Sequence, residues 1–129
     1  MRVTHHTISD AERHPSWGEP GATFHGADLI DEKSHPSARM TVGYARAAPG
    51  GRMRATFPYD EVLVVTGGSA RVYGEDGTVY EVRPGEVLYV PAVSDNTYVF
   101  DEGFTAVYVA APPRSTPNTR PSGSRAGGR

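Results

Sequence analysis

The chain contains no cysteine, which excludes disulfides and thiolate metal sites. It has one tryptophan, Trp17, and one lysine, Lys33, against twelve arginines. No run approaches the eighteen or so apolar residues of a membrane-spanning helix, so no membrane partner is expected. The N-terminus has no apolar signal region, which makes cytoplasmic residence the expectation. Acidic residues are missing after Glu102, where the only charges are Arg114, Arg120, Arg125 and Arg129. The chain through Ala111 therefore holds nine basic residues against fifteen acidic ones, a formal charge of −6. That sign disfavours nucleic acid as a partner, because phosphate binding needs a basic surface.

What the chain has in quantity is turn formers: 15 Gly and 11 Pro in 129 residues. The length fits one domain with a buried core. Residues 1–22 form a polar N-terminal arm, with Ser9 to Glu12 spaced as a helix-capping box, Pro15 limiting any helix, and Trp17 expected to plug the core. His5, His6 and His14 lie in this arm, where paired histidines could bind a metal adventitiously but no built site is expected. Residues 114–129 carry no large apolar side chain and are expected to be a disordered tail.

Between these ends, segments rich in β-branched and aromatic residues alternate with turn signals. About eight short strands are predicted, over 23–30, 39–46, 59–68, 70–73, 78–82, 87–90, 96–100 and 105–110, with 52–58 leading into the third. Pro49-Gly50-Gly51, Asp76-Gly77, Pro84-Gly85 and Asp101-Glu102-Gly103 supply the turns. Turns every eight to twelve residues with almost no helical periodicity indicate an all-β fold, a single small antiparallel barrel or sandwich over 23–113.

Within that pattern, an acidic pair, Asp60 and Glu61, enters the run Val62-Leu63-Val64-Val65 and stops at Gly67-Gly68. A carboxylate at the head of a buried strand is costly unless it is used or satisfied. The segment from Glu61 to Gly68, together with Pro84-Gly85-Glu86-Val87-Leu88-Tyr89-Val90-Pro91, resembles the two motifs of the cupins, and so the jelly-roll barrel of that superfamily. Tyr59-Asp60-Glu61-Val62 and the ending Tyr108-Val109-Ala110-Ala111-Pro112 resemble more narrowly the cupin domain of ethanolamine-utilisation protein Q. The likeness covers roughly 40–113.

The first cupin motif is Gly, five residues, His-x-His, three or four residues, Glu, six residues, Gly. Glu61 and Gly68 match its end, whereas the histidines fall on Ala55 and Phe57, or on Arg54 and Thr56 with the longer spacing. The second is Gly, five residues, Pro-x-Gly, two residues, His. Gly85 and Pro91 match, Val93 stands for the glycine, and Asn96 stands for the histidine. The three imidazoles of the usual metal site are all replaced, so no metal and no other cofactor is expected.

Alternation along a strand puts Tyr59, Glu61, Leu63 and Val65 on one face, which in the family lines the barrel interior. Asn96, Tyr98 and Phe100 likewise share a face. The expected site has Glu61 and Tyr59 as catalytic groups and Asn96 and Tyr98 as substrate-binding groups, with Tyr44, Arg46, His25 and Tyr108 at the rim. Glu61 among tyrosines would have a raised pKa and could move a proton, while hydroxyls and Asn96 could hold a carbonyl or a developing anion. Asp60, Arg71 and Tyr73 are expected to point outward. The structural reading that competes is a carboxylate merely bonded to tyrosines.

The expected function is acid/base chemistry on a small polar or carbonyl-bearing metabolite, as an isomerase, cyclase, dehydratase or other lyase. A non-catalytic sensor using the same pocket is the alternative, and a metal-dependent cupin enzyme is a further one. The resemblance also implies an acetate-kinase activity, but no glycine-rich loop opens a helix to cradle phosphate. A homodimer is expected, because an exposed edge strand is a pairing surface.

Overall fold

The computed structural model describes residues 2–7 and 24–113. The capping box at 9–12, His14, Trp17 and the tail lie outside the described residues. Among the described residues nine strands form, in the order β1 (Phe24–Ile30), β2 (Thr41–Ala47), β3 (Gly51–Thr56), β4 (Asp60–Gly68), β5 (Ala70–Tyr73), β6 (Val79–Val82), β7 (Val87–Val90), β8 (Asp95–Phe100) and β9 (Phe104–Ala111). Among the described residues no helix is long and apolar enough to cross a membrane. The extra strand is β3. Its residues are expected from sequence to run into β4, but Pro58 cannot donate to a ladder and β3 pairs instead with β8.

Two antiparallel sheets result, one ordered β1-β2-β9-β4-β7 and the other β3-β8-β5-β6. The chain crosses from the first to the second at Gly68, where φ is +68°. A Cβ there would collide with the Gly103 carbonyl, so only glycine permits the crossing. The turn glycines named above, Gly50, Gly77, Gly85 and Gly103, all take positive φ.

The inner faces follow the period of two. On β4, Glu61, Leu63 and Val65 are buried while Asp60 and Thr66 are exposed. On β5, Ala70 and Val72 are buried, and Arg71 and Tyr73 turn outward, where Arg71 binds Asp101 through Nε at 2.8 Å. Large aromatics close one end of the interior. Phe100 stacks on Phe24 with ring centroids 5.5 Å apart and meets Phe104 at 5.2 Å. Ala45, Val65, Ala70 and Ala106 fill the space between them.

Candidate functional site

The opposite end of the interior is polar. Glu61 is 6% exposed, and Tyr59, Tyr98, Tyr108 and Thr41 are buried with it. Cross-strand register builds two inward rows on the first sheet. Thr41, Ala110, Glu61 and Val90 lie opposite one another in one row. Asp28, Gly43, Tyr108, Leu63 and Leu88 form the next. Tyr108 donates its hydroxyl to the Asp28 carboxylate. From the second sheet, Tyr98 lies between Met53 and Val72, and Asn96 lies opposite Ala55.

Tyr98 is the unusual member. It is 2% exposed, and its hydroxyl has no hydrogen-bond partner among the described residues. Burial, with the charge of Glu61 and the neighbouring Tyr59, pushes its phenol well above the ordinary tyrosine pKa. It stays neutral across the physiological range, as a donor facing a carboxylate-bearing interior.

A groove of about 500 Å³ lies beside this end, between β6 and β7, the edge strands of the two sheets among the described residues. Tyr80, Val87, Leu88 and Tyr89 line its walls, and Val72, Val90 and Asn96 also line it. Val90 is the cross-strand partner of Glu61, and Val72 that of Tyr98. The groove therefore runs one residue away from the polar interior. Asn96 donates through Nδ2 to Ser94 Oγ at 2.9 Å, which orients its amide at the groove.

Three expected rim residues are elsewhere. His25, Tyr44 and Arg46 leave from the outer face of the first sheet, His25 opposite Arg46 and Tyr44 opposite Ala27. Tyr44 packs there with Ala27, Leu29 and Val107. The cause is the composition of β2, whose inward residues are Thr41, Gly43, Ala45 and Ala47. Small inward residues leave room for Tyr108, and the bulky set is forced outward. A Cβ on Gly43 would strike the Tyr108 ring.

Asp28 is the residue that sequence reading missed. Its strand carries apolar residues at both parities, Phe24 on one and Ala27 and Leu29 on the other, and its pairing slips between Asp28 and Ile30. The available signal was Phe24, Gly26 and Asp28 at alternate positions, which shows its value only once β2 is known to be its neighbour.

The family's metal-ligand positions converge, and their chemistry does not. Ala55 and Phe57 face inward while Arg54 is exposed, so the register selects the shorter spacing. Ala55 sits directly opposite Asn96. A methyl, a phenyl and an amide thus stand at the motif positions that carry imidazoles in the family. Among the described residues no group of three or more His, Cys, Asp or Glu side chains could hold a metal ion. This donor set does not fit a first-row transition metal, which prefers imidazole nitrogen to lone carboxylate and amide oxygen.

Residues 35–108 match the sequence model of the EutQ-like cupin domain. The chain belongs to this family. As a EutQ-like cupin it has the expected all-β jelly roll, and solved structures agree. It is similar to a protein of unknown function from Rhizobium leguminosarum bv. viciae 3841 at 30% identity, covering 87% of this chain and 99% of that one, with a TM-score of 0.70. It is similar to the EutQ protein of Clostridium difficile at 21% identity, covering 69% and 68%, with a TM-score of 0.62. Its fold is also that of the polyketide cyclase RemF from Streptomyces resistomycificus, at 21% identity, 89% and 83% coverage, and a TM-score of 0.71. Among curated proteins nothing matches the chain.

Proposed function

We propose that this EutQ-like cupin binds a small polar or carbonyl-bearing metabolite at the polar end of its barrel and performs acid/base chemistry on it. The reaction class is isomerisation, cyclisation, dehydration or another lyase step. The observation that carries the reading is a buried carboxylate, Glu61, within electrostatic reach of the buried Tyr98 hydroxyl, which has no hydrogen-bond partner among the described residues. A hydroxyl shut away from water without a partner costs about 1–3 kcal/mol, which a ligand oxygen or nitrogen would recover. A cyclase on the same fold supports the reaction class by analogy alone.

In this reading Glu61 moves the proton, Tyr98 and Tyr59 donate to a substrate oxygen, and Asn96 orients the substrate at the groove. No step is routed through a metal, because the donor set does not fit one. Phosphoryl transfer finds no support, since no glycine-rich loop opens a helix among the described residues.

Glu61→Gln tests the assignment. It preserves shape while replacing the titrating carboxyl with a neutral amide. Turnover of a converted metabolite should fall by about 10²-fold or more while the bound fraction at equilibrium stays near wild type. Binding without conversion by the wild type would instead establish a sensor. Homodimerisation belongs to the same proposal: β7 is an edge strand whose Val87 and Tyr89 are 61% and 59% exposed. Sedimentation of the wild type against Val87→Lys reads it.

A further inference from the structure

We infer that His6 and His35 form a binding site for a late first-row divalent ion, such as Zn²⁺, which clasps the N-terminal segment to the barrel. The site lies outside the barrel interior and does not rest on the small-molecule reading above. Residues 2–7 belong to no strand. Thr4 and His6 nevertheless meet His35, which sits in the connection between β1 and β2, 31 residues from Thr4. Nε2 of His6 and Nε2 of His35 converge on one oxygen, Thr4 Oγ1, at 3.0 and 3.2 Å. The two rings meet edge to face with centroids 5.4 Å apart. Both are half-buried, whereas the neighbouring His5 is exposed. His35 turns a polar pair of histidines into a convergent pair, and nothing in the sequence places it there.

One of the two imidazoles is already prepared as a ligand. Nδ1 of His35 lies 2.6 Å from Ser34 Oγ. Ser34 Oγ donates to Asp31 Oδ1 at 3.2 Å and accepts from the Asp31 amide at 3.2 Å. A hydroxyl has one hydrogen to give, and the carboxylate takes it. Nδ1 of His35 is therefore the protonated nitrogen, and Nε2 presents its lone pair towards Thr4 and His6. A carboxylate-anchored partner on the far nitrogen fixes the tautomer and ring orientation of metal-bound histidines in the same way. The backbone holds the residue as well. The His35 amide donates to the Asp31 carbonyl at 2.8 Å, and the Ala38 amide donates to the His35 carbonyl at 2.9 Å.

The donor set selects the ion. Two imidazole nitrogens and a hydroxyl suit Zn²⁺, Cu²⁺ or Ni²⁺, whereas Mg²⁺ and Ca²⁺ need cages of oxygen. Among the described residues the pair belongs to no group of three or more His, Cys, Asp or Glu side chains that could hold an ion. The remaining positions therefore go to the Thr4 hydroxyl and to water, and the ion exchanges with solvent instead of being locked in.

The test is calorimetric titration of the tag-free full chain with ZnCl₂ at about pH 7.5, with MgCl₂ as the comparison. One equivalent of Zn²⁺ should bind, and Mg²⁺ should not. His6→Gln and His35→Gln should each weaken Zn²⁺ binding by about tenfold or more, and Ser34→Ala by about tenfold through the lost partner of Nδ1. His5→Gln should leave it unchanged. Saturating Zn²⁺ should also raise the heteronuclear NOE of the amides of residues 3–7 in the wild type and not in His35→Gln, which reads the clasp apart from affinity. Absence of Zn²⁺ binding overturns the proposal. Binding that His35→Gln leaves intact, or that His5→Gln weakens as much as His6→Gln, also overturns it, because either result means an adventitious ion only on the N-terminal histidines. Binding that depends on His35 without any rise in the NOE overturns the clasp and upholds the ion site.

Discussion

Tyr108 on β9 donates its hydroxyl to Asp28 on β1, reaching over Gly43 of the intervening strand. The pair ties the edge strand to the third strand of its sheet from the inside, and it depends on the missing side chain at Gly43. Gly43→Ala would drive a methyl into the Tyr108 ring and the Ala27 carbonyl. We expect a loss of about 2–3 kcal/mol by urea denaturation, the usual cost of overpacking a core. Tyr108→Phe should cost about 2 kcal/mol through the lost bond to a charged group. A Gly43→Ala protein as stable as wild type would refute the close approach.

Tyr98→Phe separates stability from binding. The substitution removes a buried hydroxyl that has no partner among the described residues, so stability should stay level or rise by about 1 kcal/mol. Binding of a metabolite should weaken at the same time. Loss of stability in thermal melts would mean that the hydroxyl is structurally engaged.

Tyr98 also sets an alkaline limit. Its folded pKa is raised by burial above the unfolded value of about 10. The unfolded chain therefore releases this proton first, so the contribution is whole below pH 10 and declines as pH climbs beyond it. Denaturation midpoints measured from pH 8 to 11 should fall less steeply for Tyr98→Phe than for the wild type. Identical slopes would count against the burial.

Val93 carries a strained backbone. Its φ is +61°, in a region unfavourable for a β-branched residue, although its side chain is 74% exposed. Its neighbours hold it there: its amide donates to the Phe57 carbonyl at 2.7 Å, and the Ala92 amide donates to Asp60 Oδ1 at 2.8 Å. The left-handed conformation costs about 1–2 kcal/mol and glycine's extra unfolded-state entropy about 0.5–1 kcal/mol. The net expectation for Val93→Gly is a gain of about 0.5–1 kcal/mol in chemical denaturation. A loss would show that the valine side chain makes contacts worth more than the strain.

The strand pattern, the turn glycines and the inward faces of β4 and β8 were legible in the sequence because alternation there is clean. Glu61, Leu63 and Val65 face inward as expected, and Tyr98 and Phe100 with them. The faces of β1 and β2 were not legible. Both sides of that pair are apolar, since Tyr44, Leu29 and Val107 pack together on the outside. Size misled as well: the interior takes Gly43 and Ala45 and exports Tyr44 and Arg46, because the bulk that fills it comes from Tyr108 across the sheet. Asp60 was expected outside and is, where it accepts a hydrogen bond from the Ala92 amide.

Ala55, Phe57 and Asn96 retain the backbone placement that would carry imidazoles, with Ala55 still facing Asn96 across the ladder. Scaffold and coordination chemistry are therefore separable in this protein. Three side-chain exchanges, Ala55→His, Phe57→His and Asn96→His, would assemble a three-histidine, one-glutamate set without moving a strand. Zinc or nickel uptake by that triple variant, measured against the parent chain, would make the barrel an engineerable metalloprotein.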